Sequence, residues 1–519
     1  MAAIPTHEMW VGGELKPGKG EIIEVENPAN GLIVARVHQA TAEDVHDTVL
    51  RAHQAFKSGV WSQADRQKRA KVLDDAASII EIKLDVLIEE EVMQTGRAIR
   101  EMRAQVPSLV KWFRYYAALL RTEERSVLPT TGKLHNWIDR VPLGVVALIT
   151  PFNHPLLIAV KKIAPALAAG NSVVLKPSEW APVTSIILGK LLKAAGLPDG
   201  VFSVIPGRGA FAGKYLSEHQ LIRKVDITGG TAAGRGVGAI TGHNMARITA
   251  ELGGKAPVIV TEYADVQAAV NGVCFGAFIA SGQTCVAATR IIVHNEILDK
   301  FTDALLDKVD SITCRIGNPM NSESTMGPVI NVYQLDKLSL IVAGAVSTGK
   351  AKVLVGGERM TGTSLLDGTE FSKGYFFPPT VVISTEGQSV TKTELWENEA
   401  FGPIIVVVGY DTDEQAVALA NDSRFGLGAA VWTRDISQAM QLSDKIEAGI
   451  VWINTHHRND PSSPWGGIKP DSGVGSENGI EAYHAYTQIK STIINYASIE
   501  EMLETEDWFA ESAGGVRYG

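Results

Sequence analysis

A chain of 519 residues exceeds what one hydrophobic core usually supports, so two or three structural units are expected. Its composition, 45% hydrophobic and 20% charged, excludes a disordered polypeptide, and a formal charge of −10 without any long basic run argues against a nucleic-acid or anionic-membrane surface. Three scattered cysteines (Cys274, Cys285, Cys314) cannot make a disulfide framework or a thiolate metal site, and neither a signal-like N-terminus nor a run of about 18 apolar residues occurs, so a cytoplasmic protein acting on a small molecule is expected.

From Ala64 to Gln94 the apolar positions Val72, Leu73, Ala76, Ile79, Ile80, Leu84, Leu87 and Ile88 recur at helical spacing. They predict one long amphipathic helix stopped at Gly96, with Glu89, Glu90 and Glu91 on a solvated face. The segment RSVLPTTGKLHNWIDRV at 125 is rich in β-branched residues, as is TQIKSTIINY at 487, and the two are expected to pair as strands outside the main sheets. Between 144 and 260, short apolar runs (GVVALIT at 144, SVVLK at 172, VFSVI at 201, KVDITG at 224, PVIV at 257) alternate with helical stretches. That rhythm predicts a parallel, doubly wound sheet. A second α/β series follows, with strands expected at RIIVH (290), AKVLV (351), IIVVVGY (404), GAAVWT (428) and GIVWIN (449).

In an open parallel sheet, ligands bind beyond the carboxyl ends of the strands. TPFNHP (Thr150 to Pro155) follows the first strand, with Asn153 just before a helix start. KPSE (Lys176 to Glu179) follows the second, TGGTAAG (Thr228 to Gly234) the fourth and ELGGK (Glu251 to Lys255) the fifth, and FIASGQTCVA (Phe278 to Ala287) opens the second series. The turn at Gly229 and Gly230 exposes N–H groups at a helix N-terminus, which suits a pyrophosphate, but its G-G-x-x-x-G pattern is not the G-x-G-x-x-G fingerprint. Taken singly it is a tight turn. Lys176 and Glu179 offer a donor and an acceptor for ribose hydroxyls. A lone cysteine is ordinarily buried packing, the reading that fits Cys274 and Cys314. Cys285 is set apart by its company, because Asn153 offers an amide donor for an oxyanion and Glu251 a general base.

The ordered set PFNHP, KPSE, ITGGT, ELGGK, SGQTC, MGPVI (326 to 330), ENEAFGP (397 to 403) and PWGGIK (464 to 469) resembles the NAD(P)-dependent aldehyde dehydrogenase superfamily over nearly the whole length. The resemblance implies an α/β fold of two doubly wound parallel-sheet domains plus a small β oligomerisation flap. Residues 1–124 and 143–254 would bind NAD, 255–482 would carry the catalysis, 125–142 and 483–498 would be the oligomerisation strands of a homodimer or homotetramer, and 499–519 a C-terminal tail. By the same resemblance Cys285 is the nucleophile, Asn153 and the Cys285 backbone N–H hold the oxyanion, Glu251 activates water, and Lys162 serves a proton relay. NAD, or NADP, would meet Thr150, Pro151, Phe152, Lys176, Ser178, Glu179, Gly207, Gly229, Gly230, Thr231, Leu252, Gly253, Glu399 and Phe401. Lys176 and Glu179 would hold the adenosine ribose, and Glu399 the nicotinamide ribose. Glu179 should favour NAD, since a carboxylate repels a 2′-phosphate. Relatives that pass the acyl group to coenzyme A lack a glutamate at the position of Glu251, so hydrolysis is expected.

The chain departs from the pattern at Ala280, where Asn is common, at Gly230 and Ala232 in the Gly-rich turn, at Ser476, where Arg is common, and in KPDSG (469 to 473), which is one residue longer than usual. No metal is expected, because the spacing of His456, His457 and Asp460 fits no standard site and reads as a polar loop. A cysteine hydrolase without nicotinamide would need a His motif near Cys285, and none is present; a catalytically silent relative fits poorly with Cys285, Glu251 and Asn153 retained together. Relatives that oxidise aliphatic aldehydes have aromatic residues at the positions of His154, Lys161, His457 and Asn459. Here these residues, with Arg458 and Trp465, are expected to form a polar pocket for an aldehyde bearing a remote polar or anionic group. The alternative places Lys161 and Arg458 in solvent and leaves Trp465 with Phe152 to form an apolar tunnel.

Overall fold

The computed structural model describes residues 4–507, 509 and 511. Two large sheets organise it. In the first, the strands run in the order Gly473–Val474, Arg247–Glu251, Ile222–Thr228, Val145–Ile149, Ser172–Lys176, Phe202–Val204, Met9–Val11, Glu14–Lys16, with the central five parallel and the edges antiparallel. In the second the order is Ala351–Val355, Thr380–Ser384, Ile404–Tyr410, Ala288–His294, Ala256–Val260, Gly428–Trp432, Ile450–Ile453, all parallel except the first.

Both sheets are covered on both faces, which is why their strands read as continuous apolar runs rather than as alternating patterns. Every residue of Val145–Ile149 is buried, yet the two-residue period still sorts them. Val146 and Leu148 pack with the helices Arg66–Ile82 and Pro155–Ala168, whereas Val145, Ala147 and Ile149 join Val45, Val49 and Ala52 of the helix Ala42–Lys57. In the second sheet Ile291 and Val293 pack against Phe301 and Leu305, while Ile292 joins Leu335 and Leu338 on the opposite face.

The segments at 125 and 487 pair with each other: Leu134–Pro142 runs antiparallel to Thr487–Asn495, from Thr487 opposite Pro142 to Asn495 opposite Leu134, and Ser126–Leu128 adds a third strand. Several expectations need correction. The long helix from 64 to 94 is two helices, Arg66–Ile82 and Leu84–Thr95, because Lys83 (φ −110°, ψ 15°) leaves the helical region. The apolar face continues in register across the break, so periodicity alone could not show it. Glu91 is not solvated but buried, accepting a 2.6 Å hydrogen bond from Thr184 Oγ1, and burial pushes its carboxyl up to about 7.

The run at 257 belongs to the second sheet, not the first, and ELGGK follows a different strand, Arg247–Glu251, whose exposed first residue weakens its apolar signal. The strand Thr380–Ser384 and a small sheet of Thr6–His7, Leu32–His38 and Ile22–Asn27 were also not foreseen. Gly473–Val474, inside the stretch expected to be catalytic, returns to edge the first sheet. Of the C-terminal tail, the helix Ile499–Glu506 is defined by a capping box from Ser498 and Glu501, while 508, 510 and 512–519 lie outside the described residues. Among the described residues no helix is long and apolar enough to cross a membrane.

Candidate active site

Cys285 is carried by a turn with three consecutive left-handed residues, Ala280 (φ 52°), Ser281 (φ 54°) and Gly282 (φ 69°). Such a conformation costs a non-glycine residue energy, so the surroundings must hold it. They do: the Ala280 N–H donates to the Glu101 carboxylate at 3.2 Å, Ser281 Oγ donates to the Gly327 carbonyl at 2.8 Å, and the Ile330 N–H donates to Gln283 Oε1 at 3.1 Å. Gly282 has no substitute, because a Cβ there would lie 2.2 Å from the Gly402 carbonyl oxygen. Gly254 of ELGGK lets the strand end approach the nucleophile, since its Cβ would fall 2.0 Å from the Cys285 carbonyl oxygen.

Cys285 and Glu251 line one cavity of about 650 Å³. Glu251 ends the strand Arg247–Glu251, and both of its buried carboxylate oxygens lack a hydrogen-bond partner among the described residues. Burial first, and the charge of Glu477 second, push its pKa well above the usual carboxylate range. Glu477 behaves oppositely. Burial would favour its protonation, but Lys161 at 2.5 Å and Lys162 at 2.6 Å outweigh this and hold it down at about 2. Lys162 also pairs with Asp226, whose other oxygen accepts from Tyr486 OH at 2.6 Å. Burial would discharge Lys162, yet the two carboxylates keep its pKa above the ordinary lysine value. Burial, then the charges of Glu399 and Glu251, push the Cys285 thiol up to about 12, with Lys161 acting in the opposite direction. Burial therefore favours the neutral forms of both the Cys285 thiol and the Glu251 carboxyl.

Several of the expected cofactor residues stand at the carboxyl ends of the strands of the first sheet. Gly230 caps the helix Thr231–His243, with open space around the position of a Cβ. Lys176 is buried 3.4 Å from Glu179, and burial lowers its pKa despite that neighbour. Thr150 donates its N–H to the Lys176 carbonyl at 3.1 Å, while its buried hydroxyl has no partner among the described residues. An open helix N-terminus, a buried cation and an unpartnered hydroxyl together suit a cofactor bearing phosphate and ribose. Glu399 reaches this region from the second sheet's side, accepting the Gly254 N–H at 3.0 Å, and burial pushes its carboxyl up to about 7. Phe401 meets Phe152, which follows Thr150 and Pro151, edge to face at 5.8 Å. Other expected cofactor residues are tied into the framework: Ser178 Oγ accepts the Trp180 N–H, Thr231 Oγ1 donates to the Asp471 carbonyl, the Leu252 N–H donates to the Ser472 carbonyl, and Gly253 accepts from Ser472 Oγ. Gly229 donates its N–H to the Glu251 carbonyl, and Gly207 (φ 157°) packs on Ala212.

A family model described as the aldehyde dehydrogenase family matches residues 15–492. The chain belongs to the aldehyde dehydrogenase family. It is similar to the betaine aldehyde dehydrogenase of Staphylococcus aureus, solved in complex with NAD+, with 34% identity, 97% of each chain covered and a TM-score of 0.91. It is also similar to PnpE from Pseudomonas sp. WBC-3, solved in complex with nicotinamide adenine dinucleotide, with 36% identity, 95% of this chain and 98% of that one covered, and a TM-score of 0.89.

In this aldehyde dehydrogenase, His154, Lys161, His457, Arg458, Asn459 and Trp465 all line the cavity. Lys161 does not reach solvent: it is buried, paired with Glu477 and placed 4.6 Å over the Trp465 ring. Arg458 is exposed, as the alternative had it, while Phe152 packs on Phe401, and the wall beside Trp465 includes the apolar Trp112, Leu157, Ile158, Phe275 and Phe278. Asn153 donates an amide N–H to the Gln283 carbonyl at 2.8 Å and so braces the turn that carries Cys285. Cys314 is exposed, contrary to the buried reading, because it caps the end of the helix Leu298–Thr313; Cys274 is buried against the cavity wall. At Ala280, where Asn is common, the Glu101 carboxylate accepts the backbone N–H. His456 and His457 contact each other through Nδ1 at 2.8 Å, and among the described residues no group of three or more His, Cys, Asp or Glu is placed to hold a metal. Glu477, Asp226, Arg97 and Glu101 were missed; of these only Asp226, a lone carboxylate inside an apolar strand, carried a sequence signal.

Proposed function

We propose that this aldehyde dehydrogenase oxidises an aldehyde to a carboxylic acid through a thioester on Cys285 that is hydrolysed with Glu251 as base. The carrying observation is that Cys285 and a partnerless, buried Glu251 face the same cavity. The residues at the strand ends fit NAD, as bound by the relatives, which supplies a cationic nicotinamide able to accept hydride. The Cys285 thiol gives its proton to water in the cavity, and the resulting thiolate adds to the aldehyde carbon, so that a C–S bond forms while the C=O π pair moves to oxygen as the thiohemiacetal oxyanion. The Cys285 N–H and the Asn153 amide, once turned from Gln283, would stabilise that oxyanion, one such donor being worth about 3–4 kcal/mol. After oxidation the acyl group remains on Cys285 as a thioester. Glu251 then takes a proton from water, the hydroxide adds to the acyl carbon, and the C–S bond breaks to release acid and thiol.

Glu251→Gln tests this reading. Intact-mass measurement should show one acyl group retained per chain after a burst of reduced cofactor, with turnover lowered by at least about 100-fold. Normal turnover would remove Glu251 from its role. NAD is the proposed cofactor because Glu179, beside Lys176, accepts from a 2′-hydroxyl and repels a 2′-phosphate; kcat/KM should favour NAD over NADP, and the reverse order would contradict the assignment. The three-stranded flap of 126–142 and 487–495 is proposed to join chains into a homodimer or homotetramer.

A further inference from the structure

The cavity that leads to Cys285 is unbalanced in charge. Arg100, Lys308, Arg315 and Arg458 line it, three of them exposed and so at its open side, and among the described residues none of the four forms an ion pair. The carboxylates lining the same cavity do not compensate them. Glu101 is paired with Arg97 at 3.0 Å, Glu477 is paired with two lysines, and burial keeps Glu251 from ionising readily. The mouth therefore presents net positive charge to whatever enters.

Deeper in the cavity, one donor has its direction determined. Arg97 Nη1 lies 2.7 Å from His154 Nδ1, and a guanidinium can only donate, so Nδ1 is the acceptor. The neutral ring must then carry its proton on Nε2. Burial and the adjacent Arg97 hold His154 well below the usual imidazole range, which keeps the ring neutral. Gln105, itself accepting from Arg97 at 2.9 Å, closes around the same Nδ1 at 3.1 Å. Nε2 makes no hydrogen bond within the described chain and is not among its buried unpartnered atoms, so this N–H is available on the cavity side of the ring.

We propose that the cavity selects an aldehyde whose far end carries a carboxylate, drawn in by the uncompensated rim cations and hydrogen-bonded by the His154 Nε2–H. This rests on the reading of the cavity as the aldehyde site. A carboxylate accepting a charge-assisted hydrogen bond near several cations gains over a neutral group of the same shape. A neutral chain would leave the His154 N–H without a partner.

The test compares para-carboxybenzaldehyde with its carboxamide, and the semialdehyde of glutarate with its carboxamide, with NAD present and reduced cofactor followed by absorbance. The carboxylate should exceed the amide in kcat/KM by about tenfold or more at low salt. That ratio should shrink as salt screens the rim, and shrink again in the double variant Arg100→Gln with Arg315→Gln. His154→Phe should lower the ratio further through KM. Amides used as well as carboxylates, or a ratio unmoved by salt and by the rim variant, overturns the proposal while leaving aldehyde oxidation intact. No reduced cofactor with any of the four compounds would sink the reading beneath it and the proposal together.

Discussion

Two carboxylates near the reacting sulfur are pushed in opposite directions by their neighbours. Glu251 has no partner and is driven toward the neutral form, while Glu477 is held ionised by Lys161 and Lys162. Pairs whose environments separate their pKa values mark acid–base assignments, here a base that accepts a proton readily and a charge that makes it do so. The two are linked: Glu477 is the largest charge raising Glu251. Glu477→Gln removes that charge, so the Glu251 pKa should fall and the pH at which thioester hydrolysis reaches half its maximum should move down. Single-turnover hydrolysis rates against pH would show this, and an upward or absent shift would count against the coupling. The same substitution breaks a buried ion pair, which costs about 3–5 kcal/mol and should appear as a lowered unfolding midpoint.

The turn 280–282 shows how one element turns a strained backbone into a placed nucleophile. Two non-glycine residues sit at positive φ there, held by Glu101, Gly327 and Gln283 rather than by any local preference. Gly282 is the position where the strain has no slack, because a Cβ there would meet the Gly402 backbone carbonyl at 2.2 Å. Gly282→Ala should therefore cost at least about 2–3 kcal/mol and reduce activity more than stability alone explains, since the sulfur moves with the turn. Urea denaturation and kcat on the same preparation would measure both, and a variant matching the parent in both would contradict the account.

Across the whole molecule the site is an agreement between distant segments. Glu251 ends a strand of the first sheet, Cys285 precedes the Ala288–His294 strand of the second, and residues 465–486 come back across both to supply Trp465 and Glu477. In the flap, Ile489 and Ile493 are each 61% exposed on a strand at the edge of its sheet. Exposed apolar edge strands invite pairing, and a three-stranded ribbon of this size gains from it. Light scattering at micromolar concentration should give a dimer or tetramer, and Ile489→Asp with Ile493→Asp should give a smaller species. A parent protein that scatters as a monomer would rule out the assembly.

Where residues declare themselves locally, the sequence was enough. The buried strands of both sheets are runs of Val, Ile and Ala because covered sheets admit little else, and the Gly-rich turn, KPSE and ELGGK stand at the carboxyl ends of strands, where parallel sheets bind ligands. What it could not show depends on contacts made across hundreds of residues. The break at Lys83 leaves the apolar register intact; Glu91 looks like part of a solvated acidic run until Thr184 covers it; Glu477 is an ordinary surface-like glutamate until two lysines of the helix Pro155–Ala168 enclose it. Burial, pairing and the resulting pKa of a charged side chain are set by its neighbours in space. Only the tertiary structure could decide which carboxyl beside Cys285 is held ionised and which is driven toward the neutral form.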